Sequence, residues 1–178
     1  MAGSGRDERA WVRGAQAGSA SDLEALFKAH WPRAYRAAYL VVQDPAAAED
    51  IAQEAFLATV RALDRFDRRR PFAPWLHRIV VNRAIDWARA RAFRAEVSDD
   101  ALADVPAQSS EPGAYSEGVV GGLAALSAEH RAVIVLRYLL EYTPGEIAEL
   151  LEVPRGTVNS RLRRGLDRLS EILPGERP

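Results

Sequence analysis

The stretch from Tyr142 to Leu169 reads YTPGEIAELLEVPRGTVNSRLRRGLDRL. Near its start Thr143 is followed by Pro144 and, three residues after the threonine, by Glu146. A hydroxyl N-cap, a proline at the first helical position and a glutamate at the third form a capping box, so a helix is predicted to begin here. The Val-Pro pair at 153–154 ends that helix after little more than two turns, because proline cannot continue it.

A second helix follows at once, with an apolar stripe at helical spacing. The stripe consists of Val158, Leu162, Leu166 and Leu169. Polar and basic side chains are predicted on the opposite face: Arg155, Thr157, Asn159, Ser160, Arg161, Arg163 and Arg164. Two short helices joined by a tight turn, the second rich in arginine, predict a helix-turn-helix.

The basic face of the second helix is a candidate DNA reader. Residues 155–168 contain five arginines and one acid, a net charge of +4. Arginine binds guanine edges or phosphate in bidentate fashion, and asparagine can bind adenine in the same way. The alternative is an amphipathic helix with a solvated basic face. The capped partner helix and the abrupt turn favour DNA contact.

The composition limits the class of protein. A chain of 178 residues can form one medium domain or two small ones. It has no cysteine, so disulfides, thiol nucleophiles and thiolate metal sites are excluded. No apolar run approaches the roughly 20 residues of a membrane span, and the N-terminus lacks a signal-peptide core. We therefore expect a soluble, cytoplasmic protein without membrane insertion.

The net charge of −1 hides strong segregation along the chain. Residues 61–94 contain ten arginines and three aspartates, a net charge of +7, whereas residues 95–118 contain six acids and no base. The second segment also has prolines, serines and little periodicity, which is typical of a linker. We predict an N-terminal helical domain over 1–94, an acidic flexible linker over 95–118 and a C-terminal domain over 119–178.

Aromatic residues dominate the first predicted helices. A short helix over 7–17 has Trp11 as its main apolar contact, and Ser21-Asp-Leu-Glu24 predicts a second capping box. The next helix has Leu23, Leu26, Phe27, Trp31, Tyr35 and Tyr39 at helical spacing. We expect these residues in the core, and we expect Pro32 to kink or restart the helix.

Asp44-Pro45 predicts the start of a third helix that reaches Leu63. Its inner face would use Ala48, Ile51, Ala52, Ala55, Leu57 or Phe56, Val60 and Leu63. Acids and an amide lie on its other side: Glu49, Asp50, Gln53 and Glu54. Acids in a first turn stabilise the helix dipole, which accounts for Glu49 but not for Gln53 and Glu54. A protein-binding surface is therefore as good an explanation as helix stabilisation.

Residues 64–74 form a predicted loop with three consecutive arginines, followed by a helix over 73–93. Inward positions of that helix are Trp75, Leu76, Ile79, Val80, Ala84 and Trp87, and outward ones are Arg78, Asn82, Arg83, Asp86, Arg89 and Arg91. Arginines and an exposed aromatic beside a basic loop suit single-stranded nucleic acid, whose bases stack on rings. The alternative is a solvated helix whose tryptophans belong to the core.

The remaining elements are also helical. We predict a short helix over 116–126 and a second one over 128–140 that is capped by Ser127. The helix-turn-helix completes this domain, and Leu173-Pro-Gly ends it. No hairpin or alternating strand pattern occurs, so the predicted fold class is all-α, with two small helical domains.

Nothing in the sequence indicates catalysis. His30, His77 and His130 lie in separate helices without metal-ligand spacing, and the chain has no Gly-rich phosphate loop. We predict no enzyme activity, no cofactor and no metal. A stand-alone helix-turn-helix regulator is the alternative function, but it leaves the acidic helix and the basic loop without a purpose.

Three motifs together resemble the extracytoplasmic-function (ECF) sigma factors of bacterial RNA polymerase. They are DPAAAEDIAQEAF at 44–56, FAPWLHRIVVNRAID at 72–86 and VPRGTVNSRL at 153–162. The resemblance extends over about residues 21–173, although the linker matches only in character. It implies a factor that binds core polymerase and directs promoter-specific initiation, with an anti-sigma factor as a further partner.

The resemblance also implies roles for individual residues. Docking on the β′ clamp helices of the polymerase would involve Asp50, Gln53, Glu54 and Phe56, and the C-terminal domain would meet the β flap. Capture of the opened −10 strand would involve Phe66, Arg68, Arg69, Phe72, Trp75, Arg78, Asn82 and Arg83. Duplex recognition at −35 would involve Arg155, Gly156, Thr157, Asn159, Ser160, Arg161, Arg163 and Arg164. Within that set, Arg155, Asn159, Ser160 and Arg163 are the expected base readers, and the other arginines contact phosphate.

Two features concern specificity and regulation. Asn159 stands where many relatives have lysine or arginine, so a phosphate or guanine contact could be replaced by an adenine-type contact. The acidic linker, through Asp99, Asp100 and Asp104, could shield the basic faces of its own chain.

Overall fold

Side-chain caps determine where several helices begin. In the computed structural model, which describes residues 4–97 and 117–173, Asp44 Oδ1 accepts a hydrogen bond of 3.0 Å from the Ala47 amide. Thr143 Oγ1 accepts from the Glu146 amide at 3.3 Å, and Glu146 Oε2 accepts from the Thr143 amide at 2.8 Å. The capping box predicted at Thr143 is therefore confirmed, as are the predicted caps at Asp44 and Ser127.

Eight α-helices, a 3₁₀ turn and a π turn follow one another along the described residues. The N-terminal half contains α1 (Ser4–Gln16), α2 (Ala20–Val42), α3 (Pro45–Ala62), a 3₁₀ turn (Leu63–Arg65) and α4 (Phe72–Val97). The C-terminal half contains α5 (Glu117–Ala124), α6 (Ala128–Ile134), a π turn (Val135–Leu139), α7 (Pro144–Leu151) and α8 (Arg155–Ile172). Residues 4–97 and 117–173 contain no strand, which confirms the all-α prediction. The acidic segment of the linker, with Asp99, Asp100 and Asp104, lies outside the described residues.

The start of α2 differs from the prediction. Ser19 rather than Ser21 is the N-cap, and its hydroxyl accepts from the Asp22 amide at 3.3 Å. With Ser19 as the cap, Glu24 lies beyond the third helical position and does not close a capping box; its carboxylate forms an ion pair of 2.6 Å with Lys28. The helix also continues through Pro32 without restarting. Pro32 is exposed, so water can satisfy the carbonyl that its missing N–H leaves free.

Small side chains, rather than the predicted aromatics, form the inner face of α2. Ala34, Ala37, Ala38 and Val41 are fully buried, and they let α3 and α4 approach closely. The aromatics lie one step around the helix as a half-exposed ladder, in which Trp31 and Tyr35 stack with their ring centroids 6.4 Å apart. In α1, Val12 is the buried apolar residue, whereas the predicted Trp11 is only half-buried.

Two predicted apolar faces are also corrected. On α3, Phe56 faces inward, whereas Leu57 and Val60 are exposed. On α8, Leu166 is exposed and Gly165 takes its place in the core. A Cβ at position 165 would lie 2.8 Å from Ile134 Cδ1, so glycine allows α8 to pack closely on α6.

The predicted helix over 128–140 changes form after Ile134. The Leu140 amide donates to the Val135 carbonyl at 3.1 Å, an i to i−5 bond that defines a π turn. Glu141 then adopts a left-handed backbone with φ of 62°. This widened turn ends the helix and directs Tyr142 towards the N-terminal half.

The two halves pack directly against each other. α2 and α4 contact α6, and α4 also contacts α7. One hydrogen bond joins His77 to Tyr142 at 2.8 Å, and one ion pair joins Arg89 to Glu129 at 2.7 Å. A second ion pair joins Arg78 to Glu152 at 2.5 Å. The basic face of α4 is therefore partly engaged by acids of the C-terminal half.

Candidate functional site

The N-terminal part of α8 presents the predicted duplex-reading face to solvent. Val158 and Leu162 are buried against α6 and α7, which fixes the rotation of the helix. The eight predicted residues divide by exposure: Arg155, Gly156, Asn159, Arg163 and Arg164 are exposed, and Thr157, Ser160 and Arg161 are half-buried. The structure thus brings this set together on one accessible side of the helix.

Local geometry at the start of α8 favours an anionic ligand. Pro154 is the N-cap residue and provides no side-chain acceptor for the first amides of the helix. A helix N-terminus with free amides attracts phosphate. A Cβ at Gly156 would meet no atom within 4 Å, so packing does not require glycine at this position. Ser160 donates its hydroxyl to the Thr157 carbonyl at 2.9 Å, which leaves its oxygen lone pairs as the free group.

Three aromatic side chains cluster where the loop over 66–71 meets α4. Phe66 and Trp75 stack with their centroids 4.5 Å apart and an interplanar angle of 18°. Phe72 lies edge-on to both rings, at 6.0 and 5.9 Å. Phe72 is buried, whereas Phe66 and Trp75 are half-exposed. Phe66 and Trp75 therefore form the accessible surface, which we call the aromatic platform, and Phe72 supports it from below.

The arginines predicted to accompany this platform have different surroundings. Arg68 is exposed, whereas Arg69 is held by Asp67 through an Nε–Oδ1 contact of 3.0 Å. The hydrogen bond from Arg69 lowers the pKa of the Asp67 carboxyl. Arg78 points into the cleft between the halves and pairs with Glu152. Asn82 is half-buried on the same helix.

Arg83 does not lie with the platform. Its Nη1 is 2.5 Å from Glu54 Oε2 on α3, which places it among the residues predicted for polymerase docking. The groove there has a volume of about 420 Å³ and is lined by Ala47, Asp50, Ile51, Glu54, Arg83, Asp86 and Trp87. Arg83 thus belongs to the α3–α4 groove rather than to the strand-capturing surface for which it was predicted.

Three of the four residues predicted for docking on α3 are exposed. Asp50, Gln53 and Glu54 face solvent, whereas Phe56 is only 6% exposed. The ring of Phe56 packs between those of Phe27 and Trp31, with ring centroids 4.9 Å and 5.9 Å away. Phe56 therefore supports the surface from inside and cannot itself be a contact residue in this arrangement.

Sequence reasoning missed an apolar patch beside these acids. Leu57 is 54% exposed, and Phe27 and Val60 are each 40% exposed. Large apolar side chains with this exposure are a usual mark of an interaction surface. The signal was present in the spacing, because Leu57 follows Gln53 by four residues and Glu54 by three, which places it on the same helical face.

A cleft of about 780 Å³ separates the platform from α7. One wall carries Phe66, Trp75 and the basic side chains Arg65, Arg70 and Arg78. The facing wall carries Tyr142, Leu150 and the acids Glu146 and Glu149. Acids of the helix-turn-helix therefore face the same basic surface that is predicted to bind the opened strand.

His77 lies beneath this cleft and is held in the neutral form. Burial lowers the pKa of its imidazole to about 4, and the neighbouring His30 and Arg33 act in the same direction. Burial also raises the pKa of the Tyr142 hydroxyl. Within residues 4–97 and 117–173, no group of three or more acidic, histidine or cysteine residues could hold a metal ion. Over the same ranges, every helix is too short or too polar to cross a membrane.

Comparisons with known proteins match both halves. The family model for Sigma-70 region 2 matches residues 26–94, and that for Sigma-70 region 4 matches residues 122–171. The ECF RNA polymerase sigma factor SigW of Bacillus subtilis is 33% identical over 167 residues, which cover 86% of this chain and 88% of SigW. SigL of Mycobacterium tuberculosis, also an ECF sigma factor, is 36% identical over 156 residues, which cover 85% of this chain and 88% of SigL.

Solved structures agree with the fold. CnrH, in complex with the cytosolic domain of CnrY, superposes with a TM-score of 0.70 at 27% identity, over 96% of this chain and 99% of CnrH. The sigma factor RpoE of Bartonella quintana, in complex with the anti-sigma factor NepR, shares the fold with a TM-score of 0.74 at 23% identity, over 88% of this chain and 99% of RpoE. The matches over both halves, joined to the basic α8 face and the platform, lead to one conclusion: this chain belongs to the ECF family of RNA polymerase sigma factors.

Proposed function

We propose that this sigma factor binds core RNA polymerase and places it at promoters through two separate DNA contacts, without a reaction of its own. The observation that carries the proposal is the presence of three distinct surfaces on one chain. They are the exposed basic face of α8, the aromatic platform with its arginines, and the acidic and apolar face of α3. Such a protein would act in the cytoplasm, where the polymerase transcribes.

The α8 face is proposed to read the −35 element as duplex. A helix of this width fits the major groove, and its exposed arginines and Asn159 have the donors that base edges and phosphates accept. Arg155, Asn159, Ser160 and Arg163 are the proposed base readers. Gly156, Thr157, Arg161 and Arg164 are proposed to contact or approach the phosphate backbone.

The platform is proposed to capture an unstacked base of the −10 element. Stacking on an aromatic ring contributes roughly 1–3 kcal/mol per base, and opening a duplex step costs a few kcal/mol. Phe66 and Trp75 would provide the stacking surface, and Phe72 would support it. Arg68, Arg69, Arg78 and Asn82 would follow the strand. Because stacking alone does not offset the cost of opening, the free protein should bind promoters weakly and the complex with polymerase should bind them strongly.

The face of α3 is proposed to dock on the β′ clamp helices, and the C-terminal half to meet the β flap. Asp50, Gln53 and Glu54 would supply the polar contacts, and Leu57 and Val60 the apolar ones. An apolar centre with a polar rim is the usual anatomy of a protein interface. Phe56 would act from beneath by holding Phe27 and Trp31 in place.

Closure of the two halves is proposed to compete with strand capture. The Glu152 carboxylate already pairs with Arg78 and offsets the positive charge that would attract a DNA phosphate, and Glu146 and Glu149 repel a strand that enters the cleft. A protein partner of the anti-sigma class could stabilise this closed form. The solved relative CnrH is bound to a protein domain, which supports such a partner for this chain.

The stand-alone regulator is not favoured, because the Sigma-70 region 2 model matches residues 26–94 of the N-terminal half. Run-off transcription on a library of genomic fragments, with purified core enzyme, tests the proposed function and identifies both promoter elements. Selective transcription only when the protein is added supports it. Asn159→Arg should change the preferred −35 sequence in the same assay, and an unchanged preference would remove Asn159 from the readers.

A further inference from the structure

Helix α1 holds both ends of the loop that carries the platform. Gln16, at the end of α1, donates its side-chain amide to two carbonyls at the start of the loop. Glu8, two turns earlier, accepts from the backbone amide at the end of the loop. These contacts link positions 47–64 residues apart in sequence, so they are tertiary contacts rather than local capping.

The Gln16 contacts fix the 3₁₀ turn that places Phe66. Its Nε2 donates to the Leu63 carbonyl at 2.8 Å and to the Phe66 carbonyl at 3.0 Å. An amide nitrogen has two donors, and both are used here. The Phe66 amide also donates to the Leu63 carbonyl at 3.0 Å, so the turn is held from both sides. Phe66 stacks on Trp75, and the amide of Gln16 therefore sets the position of one of the two platform rings.

The Glu8 contacts fix the first residue of α4. Glu8 Oε1 accepts from the Phe72 amide at 3.1 Å, where a negative charge also stabilises the helix dipole. The other oxygen, Oε2, lies 3.0 Å from Nε2 of the largely buried His30. His30 is the main cause that lowers the pKa of Glu8, so the carboxylate is charged at neutral pH. Phe72 supports the other ring by its edge-on contact with Trp75.

Anchoring α1 to the core does not require these polar contacts. Val12 is 2% exposed and packs α1 on the core, and α2 contacts α1 along much of its length. Gly14 also lets Asp22 of α2 approach closely. The polar side chains Glu8 and Gln16 instead bond to the loop backbone, one on each side of the exposed segment over 68–71.

We infer that α1 is a positioning element for the −10 strand: Gln16 and Glu8 hold the backbone on each side of the loop so that Phe66 and Trp75 stay stacked and open to a base. This inference rests on the proposed function, because it assigns α1 to the same strand-capturing surface. Neither side chain touches DNA. Their substitution should therefore change the geometry of capture without changing duplex recognition by α8.

The test uses the full chain bound to core polymerase, and a promoter recovered by run-off transcription. Gln16→Leu keeps the volume of the side chain and removes both donors, and Glu8→Gln keeps an acceptor but removes the charge. Ser19→Ala is the matched control, because it removes the cap of the neighbouring α2 and touches no atom of the loop. Affinity is measured for a fork with a single-stranded −10 element and for a −35 duplex alone.

Gln16→Leu should weaken fork binding about tenfold, equivalent to about 1.4 kcal/mol, and leave the −35 duplex unchanged. Glu8→Gln should give a smaller loss of the same kind, and Ser19→Ala none. Amide hydrogen exchange of the free chain should quicken at residues 66–72 in Gln16→Leu, less so in Glu8→Gln, and not in Ser19→Ala. Unchanged fork affinity, or equal loss on fork and duplex, would overturn the inference. If Gln16→Leu does not fold, Glu8→Gln decides by the same two criteria.

The two proposals fail in different ways. If the wild-type complex does not distinguish the correct fork from one with a scrambled −10 strand, the proposed function is wrong. If the wild type distinguishes them and both α1 variants behave like Ser19→Ala, only the role of α1 is wrong.

Discussion

Nδ1 of His77 and the hydroxyl of Tyr142 form a hydrogen bond of 2.8 Å that joins the two halves of the chain. His77 lies in α4, and Tyr142 lies just before Thr143, the cap of the first helix of the helix-turn-helix. The π turn over 135–139 is what brings Tyr142 to this position. A partly buried hydrogen bond with one titratable member, His77, therefore helps to hold the two halves in this closed arrangement.

Acidification should destabilise this arrangement through His77. The pKa of His77 in the folded state is about 4, below the 6.5 of an unperturbed histidine. Between these two pH values the unfolded chain therefore binds more protons than the folded chain. The stabilisation is complete above pH 6.5 and is lost as the pH falls through 4. Between pH 7 and 5 the free energy of unfolding should fall by about 2 kcal/mol from this group.

Urea denaturation at the two pH values checks this expectation. His77→Asn keeps a side-chain group that can bond to Tyr142 but cannot titrate. Its free energy of unfolding should therefore vary less between pH 7 and 5 than that of the wild type, by about the same 2 kcal/mol. Parallel pH dependence of the two proteins would contradict the assignment.

Gly156→Ala should weaken duplex binding without loss of stability. The added methyl group meets no atom of the protein, and alanine favours a helix over glycine by up to about 1 kcal/mol. On the DNA side the same methyl group would obstruct close approach of α8, so affinity for the −35 duplex should fall about tenfold. Gly121→Ala is the control, since Gly121 is also helical, exposed and free of neighbours. Equal DNA affinity of both variants would show that α8 does not approach through Gly156.

Glu152→Gln should increase binding of single-stranded DNA by the free protein. The substitution removes the carboxylate that pairs with Arg78, and the pair is exposed enough that stability should change by less than about 1 kcal/mol. A gain of about two- to threefold in affinity at low salt is expected, and high salt should abolish it. Glu171→Gln breaks a comparable exposed pair, with Arg168, far from the cleft, and should give no gain. A gain in both variants would indicate only a general charge effect.

Leu57→Ser should impair assembly with core polymerase while the chain remains folded. Leu57 is more than half exposed, so the substitution removes little buried area within the chain, but it breaks the apolar centre of the proposed docking face. Affinity for core enzyme, measured by fluorescence anisotropy, should fall about tenfold. Phe93→Ser is the control, because Phe93 is 67% exposed on α4, outside the proposed face. Loss in both variants would point to general surface hydrophobicity instead.

Sequence patterns predicted the helices well where a local signal determines them. The caps at Asp44, Ser127 and Thr143 lie within the segment that they start, so they could be recognised without tertiary information. Ser19 was missed in favour of Ser21 because both are hydroxyl residues and only the fold decides which one accepts the amide. Gly165 was missed because a glycine gives no apolar signal, although its packing against Ile134 depends on having no side chain.

The sequence predicted which residues belong to the candidate site better than it predicted which of them contact each other. The exposed face of α8 follows from helical periodicity, and the structure places it as expected. The pairing of Arg83 with Glu54 and of Arg78 with Glu152 depends on how distant helices cross, which no local pattern contains. The same holds for Gln16, a single polar residue whose two carbonyl partners lie 47 and 50 residues away.

We propose that two surfaces of this chain, the aromatic platform and the exposed face of α8, direct core polymerase to a start site. The most direct measurement is abortive initiation by core enzyme on one promoter, with wild-type protein, with Trp75→Ala and with Arg163→Ala. We expect a product at one start site with wild type only. Trp75→Ala should fail on duplex but be partly rescued when the −10 element is opened in advance, whereas Arg163→Ala should not. Equal synthesis by core polymerase with and without the protein would contradict this proposal.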